Sequence, residues 1–190
     1  MDWVPAFEPG VWNAWLFMII YPLQWLAVII LPDIGARTSH APEIINSRKD
    51  RIMSWLTQGI WIGATLYSIF LPLRTDTPWV WVGLAIFLAG LAVLVAATFA
   101  VAAAPADKPF TSGIYRFTRH PMYLSMLTVY LAVSVASLSW LFALITLATF
   151  FLQRHQAMKE ENQCTRIFGR EYEEYMRRTS RWLGNRSRLT

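Results

Sequence analysis

Two clusters of polar residues in an otherwise apolar chain have types and spacing that could do chemistry. The first, Asp107 to Tyr123, reads DKPFTSGIYRFTRHPMY and runs directly into an uncharged stretch. Pro121 can take the first position of a helix, where its missing N–H costs nothing. The free N–H groups of that helix start, with Arg116, Arg119 and His120 beside them, would form a site for a carboxylate or phosphate. The second cluster, QRHQAMKEENQCTRIFGREYEEYMRR, begins at Gln153 and places Glu160 and Glu161 about two helical turns beyond the last apolar run. Those carboxylates could face a cationic or hydroxyl-rich ligand. They could equally be surface partners of Arg154 and Lys159, a role of small energetic consequence. For the loop, too, a bland reading stands beside the functional one, since arginines and tyrosines are common at membrane interfaces.

Several other chemistries are excluded. No two of the nine glycines are separated by a single residue, which removes the Rossmann glycine fingerprint, and no P-loop lysine pattern occurs. His40, His120 and His155 lack metal-ligand spacing and Cys164 is the only cysteine, so neither a metal site nor a disulfide is expected. Cys164 is expected to have no redox role. There is no Gly-x-Ser-x-Gly elbow.

The elements that position these clusters follow from composition. Of 190 residues, 55% are hydrophobic and only 15% charged, against about a quarter in soluble domains. Uncharged runs of 21, 22 and 28 residues cover Val11–Leu31, Ile52–Leu73 and Trp79–Ala106, each long enough for the ~30 Å hydrocarbon core. The fourth run, Met122–Gln153, has 32 residues with Ser137 and Ser139 near its middle, too long for one ordinary span. Read as a helical hairpin, it puts 16 of the 17 Lys and Arg residues on one side, as the positive-inside rule requires.

The expectation is therefore one all-α polytopic domain over residues 1–190. Its five transmembrane helices fall at about 11–31, 52–73, 79–104, 122–136 and 140–153, the last two a short helical hairpin. The N-terminus lies outside, and loop 105–121 and the helical tail 154–190 are cytoplasmic. The net charge of +5 then reflects topology, and nucleic acid is not an expected partner. Met1–Gly10 have no basic region and no cleavage-site pattern, so the first helix is expected to be retained. Gly59 and Gly63 predict close helix packing, and Pro22 predicts a kink. In the tail, Phe168, Tyr172, Tyr175 and Met176 predict one helical stripe laid against the membrane face or the preceding loop.

With these motifs in place, the chain resembles the integral membrane methyltransferases typified by isoprenylcysteine carboxyl methyltransferase, with phospholipid methyltransferases as relatives. The resemblance runs from about Asp107 to Trp182 and rests on TSGIYRFTRHPMY, on Glu160 and Glu161, and on FGREYEEYMRR. It implies a transferase that uses S-adenosyl-L-methionine and methylates a lipid-like or small hydrophobic acceptor, a prenylcysteine-type carboxylate or a phospholipid amine. It places cofactor contacts on Asp107, Lys108, Pro109, Phe110, Tyr115, Arg119, His120, Pro121, Met122, Tyr123 and Glu160. Acceptor chemistry falls on Glu160 and on the position four residues earlier. Where prenylcysteine enzymes carry an arginine that orients the acceptor carboxylate, this chain has Gln156, with Arg154 and His155 nearby on other helix faces. NADPH-dependent sterol reductases share an arginine–histidine helix start and an acidic stretch, echoed here by Glu160, Glu161, Cys164, Phe168 and Gly169, but have many more spans. A non-catalytic membrane binding protein of the same fold is the third reading.

Overall fold

A computed structural model describes residues 7–30, 47–105 and 108–184. Among these residues the architecture is entirely helical: α1 (Trp15–Met18), α2 (Ile20–Ile30), α3 (Arg48–Ile69), α4 (Trp79–Ala103), α5 (Pro121–Ser137), α6 (Trp140–Phe168) and α7 (Arg170–Arg178), with a 3₁₀ turn at Gly113–Arg116. One of them, α4, is long and apolar enough to cross a membrane; Trp15–Gln24 and Pro121–Ser137 are apolar but shorter. Only 28% of the most apolar window of α4 is buried, so most of that surface faces outward and requires an apolar surrounding.

The core is built around α5. Its inward residues include Ser125, Val129, Ala132, Val133 and Ala136, and α4 packs closely along them. Gly83 is what allows this approach: a Cβ there would stand 2.5 Å from the Ala136 Cβ and 2.8 Å from the Ala132 carbonyl oxygen. One heptad later the Ser125 hydroxyl donates to the Gly90 carbonyl at 2.8 Å, and Ala97 continues the same buried line. The helix contact predicted for Gly59 and Gly63 is not made among the described residues, where both glycines are exposed on α3 with open space beside them. Small residues every fourth position permit a close approach without specifying the partner.

The expected hairpin is present. Leu138 adopts the left-handed conformation (φ 52°, ψ 32°), and the Ser139 hydroxyl accepts from the Phe142 N–H at 3.2 Å to cap α6. Near it, Asn13 donates to the Glu8 and Ile69 carbonyls at 2.7 Å, and the Arg74 N–H donates to the Ala136 carbonyl. This end of the bundle is thereby knitted shut, and the polar clusters gather at the other.

Two expectations need adjustment, and one helix is longer than the span expected within it. The first apolar helix begins at Trp15 rather than Val11 and is interrupted at Ile19, three residues before Pro22, whose ring displaces the carbonyl of residue 18. Helix α6 joins the expected span to the helical tail without a break: its 29 residues, ~44 Å, run on to Phe168, because Arg154 sits on its exposed side and nothing there breaks a helix. The break comes at Gly169 (φ 56°, ψ −130°), a conformation that suits only glycine, so Phe168 and the α7 residues Tyr172, Tyr175 and Met176 do not share one continuous stripe.

Candidate functional site

Residues 108–123 and the second half of α6 meet at the open end of the bundle, closed underneath by residues 179–184. Four hydrogen bonds fasten this strap to the loop, the longest from the Thr179 hydroxyl to the Arg116 carbonyl at 3.5 Å. The Arg119 N–H donates to the Ser180 carbonyl at 3.1 Å, the Gly184 N–H to the Phe117 carbonyl at 3.1 Å, and the Thr118 hydroxyl to the Arg181 carbonyl at 3.0 Å. From α7, the Tyr175 hydroxyl donates to the Tyr115 carbonyl at 2.7 Å. Tyr175 of the tail thus packs on the loop, one of the two places the sequence allowed, while Tyr172 beside it lies against Cys164 of α6.

At the centre is Glu161, which α6 turns inward on the same stripe as Gln153 and Ala157. Arg181 grips its carboxylate bidentately at 2.9 and 2.7 Å, Arg119 pairs with it at 3.0 Å, and His120 Nε2 lies 3.1 Å away. Burial alone would raise the Glu161 pKa, but the Arg181 and His120 hydrogen bonds and the Arg119 charge hold it down at about 2. Arg119 also donates to the Met176 carbonyl at 3.0 Å, so its two terminal nitrogens are engaged with the tail and with Glu161, while its buried Nε has no partner. The anion role read for Arg119 therefore meets an arginine already engaged, and Arg116, the other arginine of that reading, is exposed.

Glu160 is turned the other way and keeps about a quarter of its side chain exposed. It accepts a short hydrogen bond from the Tyr123 hydroxyl and faces His120 Nδ1 at 3.4 Å. His120 thus has a carboxylate oxygen at each ring nitrogen. Carboxylates only accept, so only the imidazolium, a donor at both nitrogens, satisfies the pair. Burial lowers the His120 pKa, yet the hydrogen bonds and charges of Glu160 and Glu161 outweigh it and raise the net value. Being raised in the folded state, this group stabilises fully below the unfolded value of ~6.5, and the contribution is lost as pH rises through the folded value. We expect wild-type protein to exceed His120→Gln in thermal stability near pH 6, with the gap closing as the pH is raised. A gap independent of pH would show that His120 carries no charge.

Around this centre, His120 stacks on Tyr123 at a centroid distance of 5.4 Å, and no side chain caps the start of α5, where Pro121 is the first residue and Met122 the next. The Phe110 ring leans on Tyr115 at 5.8 Å, Pro109 is buried and Lys108 is exposed. Asp107 lies outside the described residues. Tyr115 is pushed up by burial and then by Glu160, so it stays a neutral phenol. Cys164 is half-buried with its thiol raised, first by burial and then by Glu160, consistent with the inert thiol expected.

Of the acceptor candidates, Gln156 lies one turn before Glu160 and borders a cavity of about 140 Å³ between α3, α5 and α6. Tyr123 lines the same cavity and so connects it to Glu160. Arg154 is exposed and is not brought to this cavity, while His155 and Lys159 turn instead to the buried Asp50 of α3, His155 Nε2 at 3.9 Å and Lys159 in direct contact. Lys159 is therefore no partner of the glutamates. Four residues escaped the sequence reading: Asp50, a lone acid among Arg48, Lys49 and Arg51; Gln153, a polar residue closing an apolar run; and Thr118 and Arg181, whose part depends on the strap's return and had no local signal.

Among the described residues no group of His, Cys, Asp and Glu could hold a metal ion. Comparison with curated proteins gives no match. Residues 79–171 match the family model of the phospholipid methyltransferases, a stretch that holds α4, the loop, the hairpin and both glutamates. The matched stretch is just under half of the chain; it is similar to the family its motifs resemble, and the similarity supports a membrane methyltransferase in general.

Proposed function

We propose that this chain is an integral membrane methyltransferase that uses S-adenosyl-L-methionine and methylates a lipid-like or small hydrophobic acceptor. The observation that carries the reading is the placement of Glu160: a partly exposed carboxylate, held by Tyr123 and His120 beside the uncapped start of α5, within the family-matched segment. The residues present fit the cofactor. Glu160 suits its amino or hydroxyl groups, the free N–H groups of Met122 and Tyr123 suit its carboxylate, and Phe110 and Tyr115 offer aromatic faces for adenine or the sulfonium. Pro109, His120 and Pro121 shape the wall, and the exposed Lys108 borders it. In this reading Arg119 acts by holding the tail in place.

When bound, the cofactor supplies a methyl group already activated by a positive sulfur. The protein's part is alignment and exclusion of water. Tyr123 and the start of α5 fix the donor side, while the cavity behind Tyr123 receives the acceptor. Five spans with the N-terminus outside bring the loop and tail to the cytoplasm, and the outward-facing Trp55, Leu66, Trp81, Phe99, Leu144 and Phe151 then meet lipid. The acceptor enters from the bilayer and the cofactor from water.

The test is methyl transfer from methyl-labelled S-adenosyl-L-methionine into a lipid extract by the protein in nanodiscs. Label in the organic phase is expected, with loss of at least tenfold in Glu160→Gln. Equal incorporation by both proteins would remove Glu160 from the site, and none by wild type across several extracts would count against the activity.

A further inference from the structure

The loop and the strap reach the edge of the apolar bundle as well as the site. Gly113 packs on the last turn of α4, where a Cβ added to it would stand 3.3 Å from the Ala100 Cβ. Trp182 of the strap leans on Phe150 of α6 at a centroid distance of 5.5 Å, beside the outward-facing Phe151. The two contacts fix loop and strap at the height of the last apolar turns of α4 and α6. At that height two large apolar side chains are left uncovered: Phe117 is 62% exposed and Leu183 70%. The hydrogen bond from the Gly184 N–H to the Phe117 carbonyl keeps them neighbours. Their exposure continues the apolar surface of Phe99 and Phe151.

The charges around the pair have one sign. Neither 108–123 nor 175–184 contains an acidic residue. Arg116, next to Phe117, and Arg177 and Arg178, in the last turn of α7, are exposed and make no ion pair among the described residues. The Thr179 hydroxyl bond to the Arg116 carbonyl brings the end of α7 to this part of the loop. Glu171, Glu173 and Glu174 precede the last turn of α7, and Glu174 is paired with Arg170. Exposed apolar side chains among unpaired arginines suit the head-group region of an anionic membrane.

We propose that Phe117 and Leu183 dock in the head-group region of the bilayer, with Arg116, Arg177 and Arg178 on its anionic lipids, and that this docking keeps the strap closed over the site. The strap links the two surfaces: Arg181 grips Glu161, and the Trp182 ring lies 6.4 Å from that of His120. Lipid that holds Leu183 therefore holds Arg181 and Trp182 in place, and by linkage an occupied site strengthens docking. The inference rests on the methyltransferase reading in taking that site as the adenosyl site.

The test places the full chain in nanodiscs of phosphatidylcholine alone and of phosphatidylcholine mixed with phosphatidylglycerol. A polarity-sensitive fluorophore on Leu183→Cys, in a Cys164→Ser background, reads the docking: quenching by brominated lipid and protection from aqueous iodide are expected. Access to iodide with no quenching by the lipid, as for a surface that meets a soluble partner, would overturn the inference. Calorimetric titration of wild type with S-adenosylhomocysteine reads the coupling. Its dissociation constant is expected to fall about fivefold in the anionic discs, a difference lost in high salt and in Arg116→Gln/Arg177→Gln/Arg178→Gln. An equal constant in both discs, or a lipid dependence that survives in that variant, would overturn the coupling. Should the ligand bind in neither disc, the adenosyl reading fails while the quenching still decides the docking.

Discussion

Glu161→Gln is expected to lower the stability of the protein by about 3 kcal/mol, the lower end of the cost of breaking a buried ion pair. The lower end applies because Arg181 keeps a quarter of its side chain in solvent, whereas Arg119 and Glu161 are nearly enclosed. The glutamine is nearly isosteric but cannot balance Arg119, whose guanidinium would remain buried with its Nε already unpartnered. Because Arg119, His120 and Arg181 come from the loop and the strap, the loss should concentrate in the tail. Limited trypsin digestion is the direct readout: faster cleavage at Arg177, Arg178 and Arg181 in the variant, with α4 and α5 still protected. Identical digestion and melting in the two proteins would mean that Glu161 is not the tie between loop and tail.

Glu160→Gln is expected to do the opposite, leaving the unliganded protein within about 1 kcal/mol of wild type while weakening adenosyl ligands. A hydrogen bond to a charged group is worth ~1.5–3 kcal/mol, so the dissociation constant of S-adenosylhomocysteine should rise about 10- to 100-fold. Tyr123 can still donate to the glutamine oxygen, which keeps the wall of the site in place. The contrast between adjacent glutamates is the point: the first is predicted to matter for ligand and the second for fold. Calorimetric titration checks it, and an unchanged constant in Glu160→Gln would exclude that carboxylate from the binding site.

Much of this arrangement is readable from the residues. The hairpin follows from Ser137 and Ser139 within a run too long for one span, and Ser139 does cap α6. The Pro121 helix start and the meeting of loop and tail follow from proline geometry and the buried tyrosines. What local sequence could not supply is which of two neighbouring glutamates turns inward. Adjacent helix positions differ by about 100°, so Glu160 and Glu161 necessarily face different surroundings. The choice is settled by Arg181, which returns only after the break at Gly169. The glycines teach a related lesson. Gly59 and Gly63 carry the familiar four-residue spacing yet face open space, while Gly83 and Gly90, a heptad apart, take the close contact with α5. That α6 carries the expected span and the start of the helical tail as one helix follows from the lack of any helix-breaking residue before Gly169.

The central claim is that loop and tail together form an adenosyl site without a Rossmann sheet. Thermal unfolding of the detergent-purified protein with S-adenosylhomocysteine, and separately with NADPH, tests it most directly. A ligand at about 100 times its dissociation constant adds ~2.7 kcal/mol to the folded state, a readily measured rise in midpoint. The account predicts that rise with the adenosyl compound and none with NADPH; stabilisation by NADPH alone would contradict it.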